Sequence, residues 1–209
     1  MKLRSPRLSV AFAALGVAAL ALPAQAAPPK PVHPMAAHPM AAHPMAAHPM
    51  AAHPMAAPVV RMVTTKGTIL IKLYPKDAPL TVANFEKLVK KGFYNGLTFH
   101  RITDLGTPGA SKIVQGGDPQ GNGQGGPGYM IKGEFKENGS SNPLTHVAGA
   151  VAMARAGDPN SAGSQFYICV NPVHFLDNKY AVFGQVIKGL DVAGQLQIGD
   201  KMTKVTLAK

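Results

Sequence analysis

The chain has 209 residues, 46% of them hydrophobic and 15% charged, which bounds it to one domain or one domain with tails. Its formal net charge is +11, yet Lys90 and Lys91 are the only adjacent basic residues. With no basic run and no aromatic residues interleaved with basic ones, the charge sets nucleic acid aside as a partner.

Residues 1–26 read as a secretory signal peptide. Lys2, Arg4 and Arg7 form the positive start, Leu8 to Leu22 the apolar stretch, and Ala24-Gln25-Ala26 the small-residue cleavage site. The apolar stretch is about 15 residues, short of the roughly 20 that span a bilayer, so no stable membrane insertion is expected after cleavage. The mature protein is expected to be periplasmic or secreted. Residues 27–57 read as a Pro-rich linker that contains five copies of His-Pro-Met-Ala-Ala. A proline every fifth residue removes a backbone donor and clashes with the preceding turn, so no helix persists; an extended tether is expected. The alternative is metal binding. His33, His38, His43, His48 and His53 alternate with methionine thioethers, ligands that suit copper among others, but chelation would have to overcome the ordering entropy of a flexible chain.

Residues 58–209 read as the folded domain. Val59–Thr65 and Thr68–Tyr74 are β-rich runs on either side of Lys66-Gly67, a hairpin signal. Pro79–Lys91 is the best helix, with proline in its first turn, Val82, Phe85, Leu88 and Val89 on one face, and Gly92 as its stop. Further strands are predicted over 99–103, 112–115, 150–153, 165–170, 181–187 and 201–207, with a short second helix over 189–196. Cys169 is the single cysteine, which excludes an intrachain disulfide. It lies within a strand and reads as a small core residue. Many short strands, few helices and Gly-rich loops, above all 116–128, imply a sandwich or closed barrel.

Four ordered blocks then resemble the cyclophilin-type peptidyl-prolyl cis-trans isomerases. They are Phe99-His100-Arg101 with Gln115-Gly116-Gly117-Asp118; Ala152-Met153-Ala154-Arg155-Ala156 with Asn160; Gly163-Ser164-Gln165-Phe166-Tyr167-Ile168; and Phe175-Leu176-Asp177 with Tyr180-Ala181-Val182-Phe183-Gly184. The resemblance covers residues 59–207. It implies a mainly β fold, a closed eight-stranded antiparallel β-barrel capped by two α-helices. It also implies an isomerase that accelerates X-Pro bond rotation in unfolded or partly folded exported proteins, as a monomer and without a cofactor.

By the same resemblance Arg101 is the catalytic arginine and Gln115 the glutamine that orients it. The proline slot is expected to include Ile113, Tyr167 and Leu176. Ala154, Arg155 and Ala156 match the segment that pairs with substrate backbone, with Gln165 beside it. Phe175 and Tyr180 stand where many eukaryotic members have tryptophan and histidine, which looks like the bacterial exported branch and implies weak cyclosporin binding. Phe166 is assigned to the core. His100 lacks a Cys or Ser partner and reads as a structural hydrogen-bonding residue.

The stretch between Arg101 and Gln115 is longer than in most members. Lys112 falls where they place the aromatic residue that closes the slot, while Leu105 could fill the gap if the loop folds back. This departure motivates an alternative function, a peptide-binding or holdase module with weak isomerase activity, with the His/Met tract as a metal-binding addition.

Overall fold

The computed structural model describes residues 57–106 and 111–208. The signal-peptide expectation, the His-Pro-Met-Ala-Ala tract and its five histidines lie outside the described residues. Eight strands and two helices follow in the order β1 (Val59–Thr64), β2 (Gly67–Leu73), α1 (Pro79–Lys90), β3 (Phe99–Asp104), β4 (Lys112–Gly116), β5 (Ala150–Met153), β6 (Phe166–Cys169), β7 (Val182–Lys188), α2 (Leu190–Gln195) and β8 (Met202–Leu207). Neighbouring strands pair antiparallel in the order β3-β4-β6-β5-β7-β2-β1-β8. No helix among the described residues is long and apolar enough to cross a membrane.

The expected closed barrel is corrected to an open, curled one. The two edge strands, β3 and β8, meet only at an isolated bridge between Thr98 and Lys201. There the Phe99 N–H donates to the Asp200 carbonyl at 2.9 Å and the Met202 N–H to the Leu97 carbonyl at 2.8 Å. One residue further on, the β3–β4 pairing is interrupted at His100, and a bulge of this kind bends a strand and breaks its run of ladder bonds.

Alternation along the strands separates two apolar faces. Val114, Val151, Met153, Phe166 and Ile168 point into the main core, where Val82, Phe85, Leu88 and Val89 of α1 meet them. Ile113, Ala150, Ala152, Tyr167 and Cys169 point the other way, into a smaller cluster with Leu105, Ala154, Leu176 and Tyr180 packed against it. Phe166 therefore belongs to the core and Tyr167 to the opposite face. Cys169 is fully buried in the second cluster, and burial pushes its thiol up to about 12. At that value almost no thiolate forms near neutral pH, as a packing role requires.

Helix α1 is anchored at its start by a residue far away in sequence. The Glu134 carboxylate accepts the backbone N–H groups of Leu80 at 3.0 Å and Thr81 at 2.7 Å, satisfying donors that a helix leaves unpaired. Phe85 is the centre of the main core. Its ring lies 5.0 Å from Tyr94, 5.5 Å from Phe166 and 5.0 Å from Phe183. Phe85→Ala is expected to cost about 3–5 kcal/mol, the transfer term plus the cavity left behind. Urea unfolding measures it, and a loss under about 1 kcal/mol would contradict this placement.

Candidate active site

Cross-strand register builds the site. Arg101 of β3 pairs with Gln115 of β4, Gln115 with Tyr167 of β6, and Tyr167 with Ala152 of β5. Directly opposed residues share a face, so these four side chains form a row across the sheet on the side away from α1. Ile113, two residues before Gln115 on β4, faces the same way and pairs with Cys169. Arg101, Gln115, Tyr167 and Ile113 line a cavity of about 200 Å³, whose wall also includes Leu105, Ala154, Arg155, Phe175, Leu176 and Tyr180. Of the eleven residues named from sequence, nine converge here. The other two, Ala156 and Gln165, line an adjoining cavity of about 520 Å³ that shares Gln115, Ala154 and Arg155 with the first.

Arg101 is exposed at the mouth, whereas Gln115 is buried beneath it. An Arg101 Nη1–H donates to Gln115 Oε1 at 3.1 Å, and Gln115 Nε2 donates to Gln165 Oε1 at 3.0 Å. Gln165 Nε2 in turn donates to the carbonyls of Gly123 and Gly125, both at 2.9 Å. Each amide thus accepts on one side and donates on the other. The direction of the whole chain is set by Arg101, which can only donate.

The Gly-rich loop at the end of this chain is held by Asp118. Its carboxylate accepts the N–H groups of Gln120 at 2.8 Å, Asn122 at 3.0 Å and Gly123 at 2.5 Å. Burial opposes the charge, but these bonds and one from Gly125 outweigh it and keep the carboxyl below its ordinary 3.8. A Cβ at Gly125 would collide with the Asp118 carboxylate, and one at Gly117, where φ is +87°, with the Ser164 carbonyl. Both positions therefore demand glycine.

On the far rim, the Ala154 N–H donates to the Gln165 carbonyl at 3.0 Å and the Ala156 N–H to Ser161 Oγ at 2.9 Å. Between them, no partner among the described residues takes the Arg155 backbone N–H or carbonyl. The Arg155 side chain folds aside, its guanidinium 4.6 Å from the Tyr180 ring and donating to the Lys179 carbonyl. A free peptide edge is left beside the cavity.

A model of the family described as "Cyclophilin type peptidyl-prolyl cis-trans isomerase/CLD" matches residues 59–208. The chain belongs to this family. It is 50% identical over 137 residues to peptidyl-prolyl cis-trans isomerase B of Bacillus subtilis, covering 66% of this chain and 88% of that one. It is 45% identical over 146 residues to a peptidyl-prolyl cis-trans isomerase of Synechococcus elongatus, covering 69% and 92%. Among solved structures, a Cryptosporidium parvum cyclophilin-type isomerase crystallised in the presence of the dipeptide Ala-Pro aligns with a TM-score of 0.63 at 28% identity, over 72% of this chain and 99% of that one. The chain is an enzyme, a peptidyl-prolyl cis-trans isomerase.

The structure settles what stands where most cyclophilins place the closing aromatic residue. Lys112 does not close the slot. Its ammonium donates to the Gly194 carbonyl at 2.6 Å, near the C-terminal end of α2, where a helix favours positive charge. Leu105 lines the cavity instead, held by its N–H to the Ser111 carbonyl at 3.1 Å. Strand alternation accounts for the exchange, because Lys112 precedes Ile113 and so faces the other side of the sheet. Both ring nitrogens of His100 are buried and have no partner at close hydrogen-bonding geometry among the described residues; burial lowers its pKa from the ordinary 6.5, while Asp118 and the neighbouring Gln165 side chain oppose that shift.

A polar group beneath the slot had no signal in the sequence. His146 is completely buried; its Nδ1 lies 2.8 Å from Asp177 Oδ1 and its Nε2 2.9 Å from the Tyr167 hydroxyl. Burial lowers its pKa from 6.5, with Asp177 opposing that shift. Asp177 is itself disfavoured by burial, yet bonds from the His146 backbone, the His146 ring and the His174 ring hold it below 3.8.

The signs of these shifts fix how stability depends on pH. His146 and His100 bind protons less readily folded than unfolded, so stability falls as pH drops through 6.5 toward their folded values. Asp177 and Asp118 add stability above 3.8 that is lost as pH falls further, through their depressed folded values. Urea midpoints at fixed ionic strength are expected to decline between about pH 7 and pH 5, and again below about pH 4; a flat profile over the first interval would contradict the histidine assignment.

Proposed function

We propose that an X-Pro bond is twisted in the cavity beside Arg101, with the prolyl ring against Ile113, Tyr167, Leu176 and Leu105 and the Arg101 guanidinium donating to the prolyl nitrogen. Rotation meets a barrier of about 18–20 kcal/mol because the amide is conjugated, and uncatalysed it takes roughly tens to hundreds of seconds. Twisting breaks the conjugation and localises a lone pair on nitrogen. A permanently charged donor at that atom binds the twisted bond more tightly than the planar one, and that difference raises the rate. No nucleophile or proton transfer is required.

The observation that carries this reading is the row itself. A permanently charged donor, braced by a buried glutamine, stands at the mouth of a small cavity with Leu105, Ile113, Tyr167 and Leu176 in its wall. Gln115 fixes one guanidinium N–H and leaves the others for substrate. The unpaired Arg155 edge suits the flanking peptide, and the adjoining larger cavity lies along the path of an extended chain. The holdase alternative drew on Lys112 and on the longer stretch after Arg101; Lys112 is not in the cavity wall, and Leu105 from that stretch is. Arg101→Ala is expected to lose roughly 10²–10³ in kcat/KM, as deletion of a transition-state donor does. A protease-coupled assay on an Ala-Pro peptide tests it, and wild-type rates in the variant would overturn the assignment.

We infer further that the clients are exported proteins and that the enzyme works as a monomer in the periplasm or outside the cell, on the bacterial exported branch of the family. The support is the positive start, short apolar stretch and Ala24-Gln25-Ala26 of the first 26 residues, with Phe175 and Tyr180 at the slot. Intact mass of the protein expressed at full length in a bacterial host with its own export machinery is expected to show a chain beginning at Ala27. Recovery only of chains that retain residues 1–26 would contradict export by this route.

A further inference from the structure

The floor and the lip of the slot are tied together by one buried hydrogen-bonded chain. Tyr167 supplies the floor from β6, and Phe175 and Leu176 the lip from the 3-10 turn His174–Leu176. Asp177 ends that turn, its N–H donating to the His174 carbonyl at 3.0 Å. His146 bridges the two. Its backbone N–H donates to Asp177 Oδ1 at 2.6 Å, and its carbonyl accepts the Val173 N–H at 2.8 Å, just before the turn.

The direction of the chain follows from Asp177. An ionised carboxylate only accepts, so His146 Nδ1 carries the ring proton and Nε2 is left as an acceptor. Tyr167 must then donate its O–H to Nε2. The phenol is thereby used up beneath the slot, and Tyr167 offers the cavity a ring face instead of a hydroxyl. Without His146, a hydroxyl buried to 3% exposure would be unpaired at the slot floor, and such a group costs the surrounding structure its desolvation.

We propose that His146 is a positioning residue of this isomerase, turning the Tyr167 hydroxyl away from the proline slot and fixing the slot's floor against the Asp177-capped lip. The proposal rests on the reading of the Arg101 cavity as the proline slot. It predicts a change in how well the slot holds a prolyl ring, with little change in the donor chemistry at Arg101.

The test is steady-state kinetics on a prolyl peptide at a pH where His146 is neutral, for His146→Leu, Tyr167→Phe and the double variant, each checked for wild-type circular dichroism. Each single variant leaves one buried partner unpaired and is expected to raise KM about tenfold, with kcat held within about threefold. In the double variant both partners are apolar, and KM is expected to return to within about threefold of wild type. Single variants at wild-type KM, additive losses in the double variant, or a fall in kcat alone would each overturn the proposal. If His146→Leu fails to fold, Tyr167→Phe alone decides it: a KM equal to wild type overturns it, a raised KM with kcat retained supports it. Arg101→Ala runs alongside. A wild-type rate there would overturn the slot reading itself, and this inference with it. Loss of rate in that variant, with unchanged KM in the His146 and Tyr167 series, would overturn only the present inference.

Discussion

Phe99 and Arg101 are two residues apart on β3, and strict alternation would place them on the same face. They are on opposite faces. Phe99 pairs with Gly116 and Arg101 with the next residue of β4, Gln115, so His100 is one residue more than the ladder accommodates. That bulge lets Phe99 enter the core while Arg101 turns out to the row containing Gln115 and Tyr167. Everything proposed for the site depends on this inversion. A regular strand would bury a guanidinium among Phe85, Phe166 and Met202, at the cost of an unpaired charge in an apolar core, or would expel Phe99 from it. The same bulge leaves the two His100 ring nitrogens out of solvent and shifts the β3–β4 register between Phe99 and Arg101. Bulges next to active sites re-aim side chains in this way.

Two hydrogen-bonded chains leave the cavity on different sides, and they do opposite things. The first runs from Arg101 through Gln115 and Gln165 to a glycine loop gathered around Asp118, and it presents a charge to the cavity. The second runs from Tyr167 through His146 to Asp177, and it withdraws a polar group from the cavity. The loop that receives the first is braced by the Asp118 carboxylate and the second ends on the Asp177 carboxylate; backbone donors hold the former's pKa low, and the His146 backbone with the His146 and His174 rings the latter's. The first takes its direction from Arg101, which can only donate, and the second from Asp177, which as a carboxylate can only accept. On the proposed reading, a slot that prefers a prolyl ring on its wall and a lone pair at its rim uses both kinds of chain.

The elements of this fold were legible in the sequence because they obey local rules. The Lys66-Gly67 hairpin, the helix from Pro79 and the alternating runs of β4 and β6 all fell within a residue or two of where they form. Arg101, Gln115 and the slot residues were legible through the family blocks, and register explains why residues so far apart in the chain converge. What stayed hidden depends on contacts between distant segments. Closure of the sheet depends on whether β3 and β8 stay paired, antiparallel, past Thr98, which no local pattern states. The loop after β3 hides its insertion, so counting back from Gln115 put Lys112 in the slot, although alternation from Ile113 already argued against it. His146 follows Pro143-Leu144-Thr145 with no periodic context, and only the fold brings Asp177 and Tyr167 to its ring.

Bond rotation leaves little covalent chemistry for a protein to perform, and this shapes what the scaffold must supply. The reacting nitrogen gains a lone pair and loses it again within one turnover, so a donor that had to move into place would spend its interaction energy on its own ordering. Stabilisation of a fleeting charge distribution is effective when the dipoles are already aligned. On the proposed reading the aligning groups are Arg101 on β3, Gln115 on β4 and Gln165 just before β6, and the loop that touches Gln165 is braced by Asp118. The rim behaves differently. Phe175 is 54% exposed, and Arg155 keeps an unpaired peptide edge. A rigid floor with an open rim lets many different sequences around proline be bound while the bond itself meets one fixed environment. On this reading, selectivity for proline comes from the floor and tolerance of the client from the rim, and His146 belongs to the floor.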